Sequence, residues 1–222
     1  RTPLTVLKTQ AELALRENDP AAMRDIVRSI AATTDSTVHL ANRLLTLARI
    51  EHGGDSAALM PVSLTQVARQ VGLELALPAV QKSIDLALEA PQDALVQGHA
   101  LLLHELVSNL LDNAIRYTPV GGAVLLRVSE QGSTVLLEVQ DSGAGIPESE
   151  RDKVFAPFYR AAAALETNPG GTGLGLAIVR DIVALHGGAI SLDGSETGQG
   201  LKVMVRLPAA RTTSSVDRKN GN

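Results

Sequence analysis

Apolar residues near the start of the chain recur at helical spacing. Leu4, Leu7, Ala11, Ala14 and Leu15 form one stripe, which predicts an amphipathic helix. The turn "ENDP" (Glu17 to Pro20) ends it, with Asp19 placed as an N-cap and Pro20 at the first helical position. Met23, Val27, Ile30, Val38, Leu44, Leu45 and Leu47 then trace a second stripe, weakened in its middle by Thr34 and Thr37. Two helices alone cannot bury both stripes, so the hairpin is predicted to pack with a second copy as a four-helix bundle. "EHGGDSAALMP" (Glu51 to Pro61) has linker composition.

Beyond Pro61 the period changes. "SLTQVARQVGLELALPAV" predicts a helix capped by Ser63, with Pro78 near its end. "KSIDLALEA" alternates at period two as a strand, and "DALVQG" is a shorter strand candidate. A long helix is predicted from His99 to Tyr117, stopping at "TPVGG". "GGAVLLRVSE" and "STVLLEVQD" read as a hairpin turning at Gln131–Gly132. A glycine loop, an Ala-rich stretch, a further helix after Gly175 and two strands, "GAISLDGS" and "GLKVMVRLP", complete the pattern. The predicted fold class is α+β: an antiparallel helical hairpin followed by an α/β sandwich with helices on one face.

Composition narrows the possibilities. Aromatic residues are only 2% of the chain, so the core must come from Leu, Val, Ile and Ala. A net charge of −4 gives no footprint for nucleic acid. The absence of cysteine excludes a disulfide framework and thiolate metal or redox chemistry. No apolar run approaches the roughly 20 residues of a membrane helix, so no membrane contact is expected from this fragment. "RTPLTVLKTQ" lacks an initiator Met and a signal-peptide layout, and reads as cut from a longer protein. The expected boundaries are a hairpin over 1–52, a linker over 53–60, a second domain over 61–208 and a disordered tail over 209–222.

Four stretches could carry chemistry. In "HELVSNLLDNAIRYTP", Asn109 and Asn113 share a helix face that Arg116 and Tyr117 continue. Amide oxygens at this spacing suit a hard cation such as Mg²⁺, or are satisfied polar groups of a core. Glu105, one turn upstream, reads as a solvated side chain. "DSGAGIP" (Asp141 to Pro147) reads either as a buried carboxylate that accepts from an exocyclic amine, or as an Asx-turn. "KVFAPFYR" holds both phenylalanines of the chain, Phe155 and Phe158, which reads as a local packing cluster compatible with helping to order a loop. "GGTGLGLAIV" places Gly171, Gly173 and Gly175 at a helix start, a pattern for anion contact or for a flexible cap.

Taken in order, N-x-x-x-N, D-x-G-x-G, F-x-x-F and G-x-G-x-G resemble the N, G1, F and G2 boxes of sensor histidine kinases, within the GHKL ATP-binding superfamily. "RTPLT" is similar to the end of the box that holds the family's phosphate-accepting histidine. The resemblance spans about residues 1–208. It implies a Bergerat-type ATP-binding domain with ATP and Mg²⁺ as cofactors. Asn113 would be the principal metal ligand and Asn109 would support metal and phosphate. Arg116 would face phosphates, Tyr117 would lie beside adenine, and Asp141 would read its amino group. Gly143 and Gly145 would admit the base, the segment from Ala156 to Gly170 would be the lid, and Gly171, Thr172, Gly173, Leu174 and Gly175 would meet the triphosphate. No G-K-[ST] follows the glycines, so this is not a Walker loop.

The resemblance also places the acceptor histidine three residues before Arg1, outside this chain. His39, His52, His99, His104 and His186 lack its context. Thr2 falls where the family positions water for dephosphorylation, or is simply a cap before Pro3. Hydrolase relatives carry a glutamate one turn before the metal-binding asparagine. Asn109 stands there instead and cannot take a proton, which favours phosphoryl transfer over plain hydrolysis. The implied protein is a homodimeric two-component sensor kinase at the cytoplasmic side of a bacterial inner membrane, acting on a response regulator. "RTPLTVLKTQAELALRE" most resembles sensors of the tricarboxylate-uptake type. The rival expectations are a degenerate regulatory nucleotide-binding module and another GHKL ATPase or protein kinase.

Overall fold

The computed structural model describes residues 2–17, 19–31, 33–34, 37, 59–161, 173–195 and 200–210. The predicted second-stripe residues Val38, Leu44, Leu45 and Leu47 lie outside the described residues. So do His39, His52, most of the linker, most of the lid with Gly171 and Thr172, and residues 211–222.

Helix α1 runs Thr2–Ala14, and residues 20–31 form a second helix, α2. Asp19 caps α2 through Oδ1, which accepts the Ala21 N–H at 3.0 Å. Gln10 Nε2 donates to Ser29 Oγ at 2.8 Å and so ties the two helices together. Of the predicted stripes, Leu15, Met23 and Val27 remain exposed in the single chain, as expected of stripes that a hairpin cannot bury by itself.

The second domain begins with β1 (Met60–Ser63). Strand β3 (Leu95–Gly98) pairs antiparallel with β1, so Met60 belongs to a strand rather than to the linker. Helix α3 spans Leu64–Glu74, and Ser63 Oγ accepts the Gln66 N–H at 3.0 Å. The predicted helix from Ser63 to Pro78 is broken at Leu75, where α4 (Ala76–Gln81) begins. Pro78 is the cause: its ring crowds the carbonyl four residues upstream, at Glu74, and it has no N–H to donate there. Proline thus sets the break and sits inside the following turn.

Strands β2 (Asp85–Glu89), β4 (Ala123–Gln131), β5 (Thr134–Asp141), β6 (Ala189–Gly194) and β7 (Leu201–Pro208) form one sheet in the order β2-β4-β5-β7-β6. Only β2–β4 is parallel. The β4–β5 turn falls one residue later than its sequence suggests, on Gly132–Ser133, because Gln131 pairs with Thr134 and Gly132 supplies the positive φ of 63°. Alternate residues face inward: Val124, Leu126 and Val128 of β4, and Val135, Leu137 and Val139 of β5, are all buried. They pack under α5 (Ala100–Tyr117) and α6 (Gly175–Leu185), whose apolar faces are buried in the same core. Each such side chain contributes about 1.5–3 kcal/mol relative to exposure. On the opposite face Arg127 bridges Glu89 at 2.7 Å and Glu138 at 3.2 Å. Among the described residues no helix is long and apolar enough to cross a membrane.

Candidate functional site

Helix α5 is buried along one side and leaves Asn109 and Asn113 half-buried at its edge. Asn109 Nδ2 donates to the Glu105 carbonyl at 2.8 Å, which turns its Oδ1 away from the helix. That oxygen faces Gly175, the first residue of α6. A Cβ built on Gly175 would stand 3.4 Å from Asn109 Oδ1, and 3.1 and 3.6 Å from Asn113 Nδ2 and Oδ1. Two carboxamides therefore converge on a helix start. Leu174, the N-cap of α6, makes no side-chain cap, so the first-turn amides of this 11-residue helix offer donors beside those oxygens. Hard oxygen acceptors beside the first-turn amide donors of a helix, brought close by the lack of a Cβ at Gly175, are a donor set that fits a metal–phosphate group.

Just before α6, Gly173 has φ +69°, and its carbonyl accepts the Phe158 N–H at 3.0 Å. A Cβ on Gly173 would lie 2.6 Å from the Tyr159 carbonyl oxygen, so no other residue fits there. Phe158 itself has φ +66° and is 67% exposed. The expected packing cluster of the two phenylalanines is therefore not what this position does. Its backbone is spent on closing against Gly173.

The second half of the site lies at the end of β5. Asp141 is 7% exposed, and its Oδ1 accepts the N–H groups of Gly143 at 2.8 Å and Leu201 at 3.2 Å. The Asx-turn reading holds and the carboxylate is buried: the same oxygen closes the turn and holds β7. Burial pushes the Asp141 carboxyl above the usual range, while the two backbone donors pull the other way. Both bonds fall on Oδ1, which leaves Oδ2 as the oxygen able to accept from an outside amine. A Cβ on Gly143 would come 2.6 Å from the Tyr117 carbonyl oxygen, and one on Gly145 (φ +71°) 2.8 Å from the Gly200 carbonyl oxygen. These glycines let three backbone segments meet.

The structure thus joins Asn109, Asn113, Leu174 and Gly175 at one end, and Tyr117, Asp141, Gly143 and Gly145 at the other. Asn113 and Tyr117 are four residues apart on α5, about 6 Å along its axis. Arg116 is not drawn in: its guanidinium pairs with Asp112 Oδ2 at 2.9 Å on the helix surface. Thr2 is the first helical residue of α1. His104 pairs with Glu74 at 3.0 Å. Three further residues had no role assigned at the site from the sequence. Gly200, at φ +113°, lies so close that any Cβ would overlap the Asp141 carbonyl; the "GQG" before the last strand was its only signal. Lys82 and His186 bind the two ends of α5 and have no local signature.

This arrangement defines an α/β sandwich whose asparagine pair lies on α5 and whose aspartate–glycine loop packs against the end of the same helix. Residues 98–211 match the family of histidine kinase-, DNA gyrase B- and HSP90-like ATPases, and residues 1–53 match the histidine kinase A phospho-acceptor domain. The chain belongs to this ATPase family and, with both domains in sequence, to its sensor histidine kinases. It is 40% identical over 209 residues to the sensor protein kinase PmrB of Pseudomonas aeruginosa, covering 94% of this chain and 43% of that protein. It is 32% identical to the mycobacterial sensor histidine kinase MprB structure, with a TM-score of 0.59 over 68% of this chain and 97% of that one. A structure of full-length ShkA in complex with AMPPNP matches 95% of this chain and 44% of that one, at 30% identity and a TM-score of 0.63. The chain spans less than half the length of PmrB.

Proposed function

We propose that this chain is the catalytic portion of a sensor histidine kinase that binds Mg²⁺-ATP and directs its γ-phosphoryl group to a histidine of the dimerisation hairpin, for relay to a response-regulator aspartate. The observation that carries this reading is the convergence of Asn109 and Asn113 on the glycine start of α6. That the similar full-length ShkA was solved in complex with AMPPNP supports a nucleotide as the ligand. ATP, when bound, supplies the phosphoryl group and the metal supplies positive charge beside it.

The chain's own residues bind and orient. Asn113, assisted by Asn109, offers carboxamide oxygens to Mg²⁺, and the first-turn amides of α6, with Gly171, Thr172 and Gly173 before them, receive the phosphates. Asp141 Oδ2 accepts from the adenine amino group, while Gly143 and Gly145 admit the ring and Tyr117 flanks it. Arg116 reaches the phosphates by leaving Asp112, an exposed ion pair of small cost to break. Asn109 carries no proton-accepting group, so water is not activated there and transfer to a protein nucleophile is favoured. Catalysis is positioning plus charge neutralisation. Thr2 serves the reverse task, orienting water for dephosphorylation.

The acceptor is the histidine that the resemblance places three residues before Arg1. The exposed stripes of α1 and α2 are closed by a second copy of the chain. In the longer protein this portion lies on the cytoplasmic side of the inner membrane. The tricarboxylate-uptake subtype belongs to the same proposal and rests on the wording of α1 alone.

The test is calorimetric titration of residues 1–222 with a non-hydrolysable ATP analogue, with and without Mg²⁺, beside Asn113→Ala. Binding that requires both Mg²⁺ and Asn113 is the expected result. A folded protein that binds no nucleotide would instead be a regulatory module.

A further inference from the structure

The C-terminal turn of α5 ends in carbonyls that the helix itself cannot satisfy, and each can be traced. The Ala114 carbonyl accepts from the Thr118 N–H at 3.0 Å and from its hydroxyl at 2.7 Å. The Ile115 and Arg116 carbonyls accept from one group, the Lys82 ammonium, at 3.0 and 2.7 Å. The Tyr117 carbonyl abuts Gly143, which has no Cβ to collide with it. Lys82 is 33 and 34 residues away in sequence, and its charge sits at the negative end of the helix dipole.

Lys82 is itself held in place. It caps α4, donating its N–H to the Pro78 and Ala79 carbonyls, and its own carbonyl accepts the Gly121 N–H at 3.3 Å. Ser83 follows in the left-handed region at φ +53°, a conformation unusual for a non-glycine residue. The turn is completed by Ser83 N–H to Val80 and Ile84 N–H to Ala79, both at 2.9 Å. Ile84 is buried, and this anchors the turn to the core.

We infer that Lys82 is a positioning residue of the nucleotide site, acting through the last turn of α5 on Tyr117 and, through the Tyr117–Gly143 contact, on the Asp141 loop. The chain of contacts is continuous. The ammonium fixes the Ile115 and Arg116 carbonyls, the next carbonyl along rests on Gly143, and the Gly143 N–H bonds Asp141 Oδ1. The group that would read adenine is thereby referenced to α4 as well as to its own strand. Burial and the neighbouring Arg116 guanidinium lower the Lys82 ammonium from its usual range.

This inference rests on the nucleotide reading above, and the experiment separates the two. Residues 1–222, Lys82→Met, Lys82→Arg and Arg127→Met are titrated with the Mg²⁺-bound ATP analogue, while thermal midpoints and amide exchange at Gly143 are followed. Arg127 sits on the far face of the sheet and controls for stability loss alone. Lys82→Met is expected to weaken binding about tenfold and to speed exchange at Gly143. Lys82→Arg should restore both, and Arg127→Met should lower the midpoint with unchanged affinity. Unchanged affinity in Lys82→Met beside a binding wild type overturns the inference and leaves the nucleotide reading standing. A weakening that Arg127→Met reproduces, or that Lys82→Arg does not reverse, also overturns it. Failure of the wild type to bind overturns both.

Discussion

The side-chain nitrogen of Asn113 stands 3.1 Å from the point a Cβ on Gly175 would occupy. Gly175, the first residue of α6, has no positive φ, and Gly→Ala at a site whose backbone alanine can adopt ordinarily stabilises by about 0.4–1 kcal/mol. Gly175→Ala is therefore expected to leave the thermal midpoint unchanged or raised, while Mg²⁺-nucleotide affinity falls at least about tenfold as the methyl group pushes the amide aside. Paired calorimetry and thermal melts check the split. A loss of both together would mean that the glycine serves only the fold.

Gly200 makes the opposite prediction. Its φ of +113° and the overlap of any Cβ with the Asp141 carbonyl mean that Gly200→Ala strains the fold itself. A loss of about 2–4 kcal/mol in urea unfolding is expected, together with weaker nucleotide binding, since Leu201 next to it donates to Asp141 Oδ1.

Asp141 carries a cost in stability. Burial raises its carboxyl pKa in the folded state, so its favourable contribution is present below the unfolded value, near about 3.9, and is lost as pH rises through the folded value. At neutral pH the charge is thus destabilising. Asp141→Asn is expected to melt at or above the wild-type temperature at pH 7 and to lose adenine-nucleotide affinity. A lower melting temperature would show that the two backbone bonds outweigh desolvation.

His186 ties the end of α6 to the start of α5. Its Nδ1 lies 2.8 Å from the Ile182 carbonyl and its Nε2 accepts the His99 N–H at 3.1 Å. One nitrogen donates and the other accepts, so only the neutral ring serves both bonds. Burial lowers its pKa, opposed by the Ile182 carbonyl, and the nearby His99 ring, 6.0 Å away, adds to the lowering. The sign follows: this stability is present above about pH 6.5, the unfolded value, and is lost as pH falls through the folded one. Melting curves from pH 8 to 5 should slope downward in the wild type and flatten in His186→Gln. An equal slope in both would assign the effect to other groups.

Much of this protein was legible before any coordinates. The hairpin of "GGAVLLRVSE" and "STVLLEVQD" and the helix from His99 to Tyr117 were readable because strand and helix periods are local properties of the backbone. The glycine boxes were visible as composition, and the pairing of Asn109 with Asn113 needed only a helix of 3.6 residues per turn. Pro78 shows the limit of local reading. Its presence marked a helix end, yet the break fell upstream, where its ring meets the preceding turn.

The sequence by itself determined most of the elements and which side chains share a face with the asparagine pair, but neither strand β1 nor the break between α3 and α4. Only the tertiary structure decided which distant groups complete the site. Lys82 reaches carbonyls 33 and 34 residues on, Leu201 donates to Asp141 from 60 residues away, and His186 accepts from His99 across 87. Periodicity and capping act over one or two turns of chain. A hydrogen bond between remote segments exists only after the sheet order and helix packing have brought its two ends together, and no local pattern records it.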